Sequence, residues 1–486
     1  MKRSSSRFWW LVLFLTLLRP PSVPSWLGPA VAVDGAPCAV LVHPDQGLPT
    51  LAAQGLMPVQ WPEAGQQLLR RIQWDVNGSS PVRVMALSEF CRAMERGLNA
   101  SLAVGIDWPA LAELPRSCAT VMEKVTAVPT RLFFNSTSAS LAPWPSSSAP
   151  NNRRGRKLQR RVLRLMARNS MEELVWAFLL LMDKNVGEVE AVQDQLPHPS
   201  GWSLARATAF CGPQFLACMA SPNCMKGLFC VARCHLDDQT CSYRCLLKYD
   251  SWLITKFSSC AFQKQNVMNF HAARPKLPHV KPVEAGLADF QSKFALEMAG
   301  SFDNTQLNVR AATRILMGHA SKQKYSWMVA AASSEAYAQF SLQYQIWYYR
   351  KSVRRLYYKA VFLAEGRDGR DSWHSRSYQV LPLRTPGSWL FAANDGGVQL
   401  REHWYLLGAD ASLRWMVLYF TGSAKKAGMA YRGCMLLTPD GQVPGRSMMP
   451  IIAQALARAE MQPWELRPVN NTVNHTAGPP PLEGSK

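Results

Sequence analysis

Eight of the chain's twelve cysteines fall between Cys211 and Cys260, and no other feature constrains the fold as strongly. Bridged sulfurs bring their backbones within a few ångströms, so a segment this dense in cysteine is small and stapled if the thiols are oxidised. The spacers between successive cysteines are 6, 5, 5, 3, 6, 3 and 14 residues. A structural zinc site calls for C-x-x-C pairs, and only His235 stands nearby as a further ligand. A thioredoxin-like centre calls for C-x-x-C opening a helix, which the block also lacks. What remains is a helical disulfide staple: Cys230 and Cys234, then "HLDDQT", then Cys241 and Cys245, can form two rungs across antiparallel helical turns. No metal is expected.

Disulfides persist outside the reducing cytosol, and the N-terminus agrees with export. Lys2, Arg3 and Arg7 precede the apolar run "FWWLVLFLTLL", and Ala30 to Ala32 offer small residues to a peptidase, so residues 1–32 read as a signal peptide or, failing cleavage, an anchor. Sequons at Asn77, Asn99, Asn135, Asn470 and Asn474 fit a glycosylating route. No later run is long and uncharged enough to span a bilayer; "LVWAFLLLM" is nine residues with acids on its flanks. The 54 Lys and Arg against 33 Asp and Glu give a net charge of +21. In an exported protein that charge suits peripheral contact with an anionic membrane surface, and nucleic acid is not expected as a partner.

With 486 residues, 48% of them hydrophobic, the chain should fold as two or three units. Residues 33–140 carry Cys38, Cys91 and Cys118 and a mixed pattern that assigns no fold. Residues 141–200 read as a Ser/Pro/Ala linker, "SASLAPWPSSSAPNN", and a basic helix with Leu158, Val162, Leu165 and Met166 on one face. The Cys-rich unit spans 201–268, and a proline-marked linker, "FHAARPKLPHVKPV", opens 269–310. From Ser326 the period changes to two: Phe340, Leu342, Tyr344, Ile346 and Tyr348 share one face, Gln339, Ser341, Gln343, Gln345 and Trp347 the other. Strand-like runs recur through "LYYKAVFLAE", "SWHSRSYQVLP", "SWLFAAND", "VQLREHWYLLG", "RWMVLYFTG" and "AYRGCMLLT", and a helix follows over about 446–459. The expected fold is therefore α+β and multidomain: a small helical disulfide-rich domain, then an eight-stranded antiparallel barrel with a C-terminal helix over 311–468, then a tail, 469–486.

The cysteine block, "YDSWLITKFSSCAFQKQN", "REHWYLLGAD", "YFTG", "AYRGCMLLTPDG" and "NNT" together resemble violaxanthin de-epoxidase and its related proteins, over about Cys211 to Asn471. The resemblance implies a lipocalin barrel holding an epoxy-xanthophyll, with ascorbate as co-substrate for reductive opening of the epoxide in a plastid, in the thylakoid lumen. Export through the secretory route to a complex plastid reconciles the signal with that location; secretion or an endomembrane lumen is the alternative. It further implies pairing of Cys211 with Cys218, Cys230 with Cys245, and Cys234 with Cys241. Cys224 and Cys260 lack the family's partners and should pair with each other or stay free. The family's barrel disulfide is missing at Leu342 and about Val473, and the oligomeric state is not legible.

The family's acid, an aspartate between two aromatics, falls at Ala338, flanked by Tyr337 and Phe340 and followed by Gln343. An alanine donates no proton, and loss of a general acid typically costs about 100- to 10,000-fold in rate. Glu335, three residues earlier, is the surrogate the sequence offers. Expected pocket residues are Tyr337, Phe340, Gln343, Tyr344, His403, Tyr405 and Tyr431, with Glu402 and Asp410 flanking the strand that carries Trp404. Alternation sets His403 and Tyr405 against Trp404 without deciding which face is inward. Trp327 reads as a structural plug of the barrel floor. Two further readings stay open: a lipocalin that binds pigment or protein without turnover, and a redox-neutral epoxy-carotenoid isomerase.

Overall fold

The computed structural model describes residues 37–76, 82–107, 118, 121–135, 140–141, 153–195, 201–234, 238–280, 312–320, 325–353, 355–385, 387–410 and 412–472. The expected signal peptide, the expected Ser/Pro/Ala linker apart from Ser140 and Leu141, and the tail beyond 472 lie outside these residues.

The region that the sequence left unassigned is a parallel α/β unit. Strands β1 (Cys38–His43), β2 (Val82–Ala86), β3 (Ala100–Ile106) and β4 (Thr130–Asn135) run parallel in the order β2-β1-β3-β4, and β5 (Ser140–Leu141) adds antiparallel to β4. Every residue of "CAVLVH" in β1 is buried, as in a strand covered on both faces. Helix α1 (Trp61–Gln73) turns Trp61, Ala64, Leu68 and Ile72 onto one face of the sheet at helical spacing, and α2 (Leu87–Glu95) contributes Phe90 and Cys91 to the other, where Cys91 is bridged to Cys118.

The basic helix, and the apolar helix after it, are structural too. Helix α3 (Arg153–Met166) buries Val162, Leu165 and Met166, and α4 (Met171–Asn185), which contains "LVWAFLLLM", packs Leu174, Phe178 and Leu181 into the α/β core. Its apolarity serves that core.

Four helices build the disulfide unit: α5 (Gly201–Ala220), α6 (Pro222–Arg233), α7 (Gln239–Lys248) and α8 (Trp252–Ser258), the last running into a π-turn over Ser259–Lys264. Cys230 is joined to Cys245 and Cys234 to Cys241, tying α6 to α7. The other pairs correct the expectation: Cys211 is bridged to Cys260 and Cys218 to Cys224. Cys211 stands at a kink in α5 and Cys218 seven residues further along the helix, about 10 Å away at 1.5 Å per residue, beyond the reach of a disulfide. Cys218 and Cys224 instead face each other across the sharp turn at Ser221, with Cα atoms 5.1 Å apart. Cys224 and Cys260 are thus neither paired together nor free, whereas Cys38 and Cys434 are buried thiols.

The barrel consists of β6 (Trp327–Ala332), β7 (Ser341–Arg350), β8 (Arg355–Glu365), β9 (Asp371–Pro382), β10 (Ser388–Asp395), β11 (Val398–Ala409), β12 (Met416–Ala424) and β13 (Met429–Thr438), with the short helix α9 (Glu335–Ala338) between β6 and β7. Neighbours pair antiparallel in sequence order and β13 returns to β6, closing the sheet without an open edge. Trp327 lies fully buried, its indole Nε1 donating to the Ile315 and Leu316 carbonyls at 3.0 and 3.1 Å. Helix α10 (Met449–Ala457), shorter than the expected 446–459 because Arg446–Met448 form a 3-10 turn, packs Ile452 and Leu456 against the outside of the barrel.

A buried ionic contact joins the barrel to the α/β unit. Arg71 of α1 has no exposed surface; it lies between Glu172 of α4 and Glu465, whose carboxylate also accepts from Gln67 at 2.8 Å. Arg432 of β13 pairs with Asp75 at 2.5 Å, and both guanidinium groups lie over the Trp74 ring.

Candidate functional site

Alternation along β11 decides the site. Glu402 and Trp404 point into the barrel, 6% and 1% exposed, within a stacked aromatic interior where the Phe391 and Trp404 rings lie 4.4 Å apart. The Glu402 carboxylate accepts from Trp404 Nε1 at 2.7 Å and from the Tyr431 hydroxyl at 2.6 Å. Glu402, Gly422 and Tyr431 form one row across β11, β12 and β13. A Cβ on Gly422 would meet the Tyr431 ring at 2.6 Å and Glu402 Cγ at 2.8 Å, so the missing side chain is what lets the phenol lie over the carboxylate.

Burial raises the Glu402 pKa above the ordinary glutamate value, and the bonds from Tyr431 and Trp404 only partly offset it. Burial likewise pushes the Tyr337, Tyr358, Tyr378 and Tyr431 phenols well above theirs, so all four remain hydroxyl donors. Toward the mouth, Arg376 and Asp395 are paired at 2.7 Å beside Tyr243 of α7, over whose ring the guanidinium lies.

These groups line a cavity of about 520 Å³, within the range of about 300–1,000 Å³ typical of small-molecule sites. It is shared between units. The barrel supplies Tyr337, Phe340, Glu402 and Tyr431; the disulfide unit supplies Leu228, Tyr243 and Phe257; α4 supplies Val175, Trp176 and Leu179.

Of the residues read from sequence, Tyr337, Phe340, Gln343 and Tyr431 line the cavity. Gln343 is buried and spends its amide on the backbone, donating to the Phe340 carbonyl at 2.7 Å and to that of Tyr337. Tyr344, His403 and Tyr405 are corrected to the outer face. A bulge between Ser341 and Tyr344, with Leu342 at φ +48°, resets alternation so that Gln343, Gln345 and Trp347 point inward, and Tyr344 packs outside on Tyr325 and Trp373. His403 is outward because Glu402 and Trp404 are inward; Tyr405 packs with Tyr419 toward the α10 side. Glu335 and Ala338 lie on α9, whose Ala336 and Tyr337 reach the cavity, but their own side chains are outside the described part of the structure. Glu402, read from sequence as flanking the strand that carries Trp404, lies within it on the inward face.

A closed eight-stranded antiparallel barrel with a ligand-sized cavity at its mouth and a helix packed outside defines a lipocalin. The profile of the VDE lipocalin domain matches residues 204–471, more than half of the chain, and the protein belongs to that family. Solved structures similar to the barrel include insecticyanin from the tobacco hornworm Manduca sexta (11% identity, 31% of this chain and 79% of that one, TM-score 0.24) and lobster apocrustacyanin A1 (11% identity, 40% and 93%, TM-score 0.24). At such identities the likeness extends to fold alone. No curated protein matches the chain in sequence.

Proposed function

We propose that this lipocalin binds the ring end of an epoxy-xanthophyll in the aromatic cavity and that Glu402 delivers the proton that opens the epoxide. The observation that carries this reading is a carboxyl buried at the apolar heart of the site with its pKa raised, which is what a general acid requires and what Ala338 cannot supply. Glu402 is protonated more readily than an ordinary glutamate, which suits the acidic lumen that the family resemblance implies. Tyr431 donates its one hydroxyl hydrogen to Glu402 and so steadies the carboxylate left after proton transfer.

In the balanced reaction the epoxide oxygen leaves as water. Ascorbate supplies two electrons and two protons and departs as dehydroascorbate; Glu402 lends the first proton and recovers one of those two. The described cations lining the cavity, Arg376 and Arg432, each already hold a carboxylate, so the ascorbate step rests on the resemblance and is tested by omission. Binding without turnover is the competing reading, favoured by Ala338 in the family's acid position.

The test uses the full oxidised chain, because α4 helps to line the cavity. It is incubated with violaxanthin at pH 5 and pH 7, with and without ascorbate, and carotenoids are separated by chromatography. Ascorbate-dependent loss of epoxide at pH 5 supports de-epoxidation, and a changed pigment without ascorbate means isomerisation. Unchanged pigment that co-elutes with the protein means a carrier, and pigment neither bound nor altered removes the reading.

A further inference from the structure

The α5–α6 hairpin turns its cysteines inward and an apolar face outward. Exposed residues stand along α5, at Arg206 and Phe210 before its kink at Cys211 and at Pro213, Leu216 and Ala220 after it, and recur at helical spacing along α6, at Lys226, Phe229 and Arg233. Phe210, Leu216 and Phe229 are 57%, 58% and 44% exposed, and Trp252, which opens α8, is 63% exposed. Phe210, Phe229 and Trp252 are the exposed phenylalanines and tryptophan among the described residues, and all three belong to one small unit. No single described helix is long and apolar enough to cross a membrane; the two arms of the hairpin reach that length and apolar composition only when taken together across a bend of 111°. A bent, apolar hairpin with cations along its rim has the character of a segment that lies in a membrane interface.

The opposite sides of α6 and α8 form part of the wall of the cavity, which α5 does not line. Along α6, Gly227, Leu228, Val231 and, at its end, Cys234 line it, and along α8 Ile254 and Phe257 do so while Trp252 points away. One layer of helix separates Phe229 and Trp252 from the ligand chamber.

We infer that this face, with Phe210, Leu216, Phe229 and Trp252 at its centre and Lys226, Arg233 and Lys256 around it, docks on an anionic bilayer and opens the cavity to a ligand dissolved in lipid. The inference rests on the reading that the ligand is a long apolar polyene, since only such a ligand has to be collected from lipid. Charge selects the occupant. The Lys256 ammonium lies 4.2 Å from the centre of the Trp252 ring, an aromatic and cationic pair suited to the headgroup layer. The cations complement anionic headgroups, whereas a second copy meeting the same face across a two-fold axis would set them against themselves.

The test is co-sedimentation of the full chain with vesicles of phosphatidylcholine alone and with about 30% phosphatidylglycerol. The expected result is binding that strengthens with the anionic lipid and weakens with salt, by about fivefold for each of Lys226→Gln and Arg233→Gln. Phe210→Ser/Leu216→Ser/Phe229→Ser/Trp252→Ser should lower vesicle partition at least tenfold, while pigment presented in detergent still co-elutes with the protein. Retained pigment shows that the variant folds, and the two glutamine variants test the face independently of its apolar centre. Wild-type protein that ignores both vesicles, or variants that bind like wild type, would overturn the inference. So would a concentration-dependent dimer that these variants abolish without any vesicle binding, which would assign the face to a second copy. Failure of pigment to bind in detergent would instead strike the functional reading and leave vesicle binding to be judged separately.

Discussion

The Tyr431 hydroxyl reaches the Glu402 carboxylate at 2.6 Å across the space that Gly422 leaves open, so a glycine on the intervening strand holds together a donor and an acid whose strands are not neighbours. Replacing Glu402 with Gln removes the proton and keeps the shape: the amide oxygen accepts from Trp404 and the amide nitrogen donates to Tyr431. Turnover of an epoxy-xanthophyll should fall about 100- to 10,000-fold while pigment affinity changes little, read by chromatography beside fluorescence titration. If Glu335→Gln produces that loss and Glu402→Gln does not, the acid has been misassigned.

The same pair predicts the pH profile. A general acid works while protonated, so turnover should fall as pH rises through the Glu402 pKa, which burial places above that of free glutamate. Tyr431 stabilises the carboxylate, and Tyr431→Phe should therefore raise that pKa and carry the falling limb to higher pH. A limb that moves down, or stays, would contradict the role given to the phenol.

Stability follows the same sign. Between the unfolded and folded pKa of Glu402 the native state binds more protons than the unfolded chain, so its contribution is fully present below the unfolded value and is lost as pH rises through the folded one. Glu402→Gln should be more stable than wild type above that window and show no such gain below it, by urea denaturation at paired pH values. An equal difference at all pH values would mean that the carboxyl does not titrate as argued.

Much of this was legible in sequence, and the misses have physical causes. The barrel strands announced themselves because one-sided burial imposes a period of two. On β11 that pattern held the acid as well: Val398, Leu400, Trp404 and Leu406 alternate with Gln399, Arg401 and His403, and Glu402 is the one charge on the apolar side. The β7 pattern misled at Tyr344 because a bulge resets alternation without a mark in composition. The α/β unit stayed hidden because a parallel strand buried on both faces, such as "CAVLVH", carries no alternation. The Cys211–Cys218 pairing failed because it was carried over from a resemblance, whereas the helix that follows the kink at Cys211 carries Cys218 out of its reach.

The corrected pairings have measurable consequences. Peptide mapping of the oxidised chain should recover Cys211 linked to Cys260 and Cys218 linked to Cys224. Their sequence separations are 49 and 6 residues, so loop entropy gives about 4 kcal/mol to the first and about 2 kcal/mol to the second. Cys211→Ser/Cys260→Ser should thus be the more damaging pair by denaturant unfolding under oxidising conditions. A peptide joining Cys211 to Cys218 would reinstate the pairing implied by the resemblance.

Arg71 tests whether the α/β unit and the barrel act as one body. It is fully buried beside Glu465, and burial lowers its own pKa while raising that of the carboxyl, so each depends on the other to remain charged. Arg71→Ala leaves a buried carboxyl with no cation of its own between the units and should cost about 3–5 kcal/mol. Arg71→Met/Glu465→Leu, which removes both charges and fills much of the space, should recover most of that loss. Because α4 of the α/β unit lines the cavity, Arg71→Ala should also weaken pigment binding, although Arg71 itself does not line it. Loss of stability with unchanged pigment affinity would show that the α/β unit braces the barrel without shaping its site.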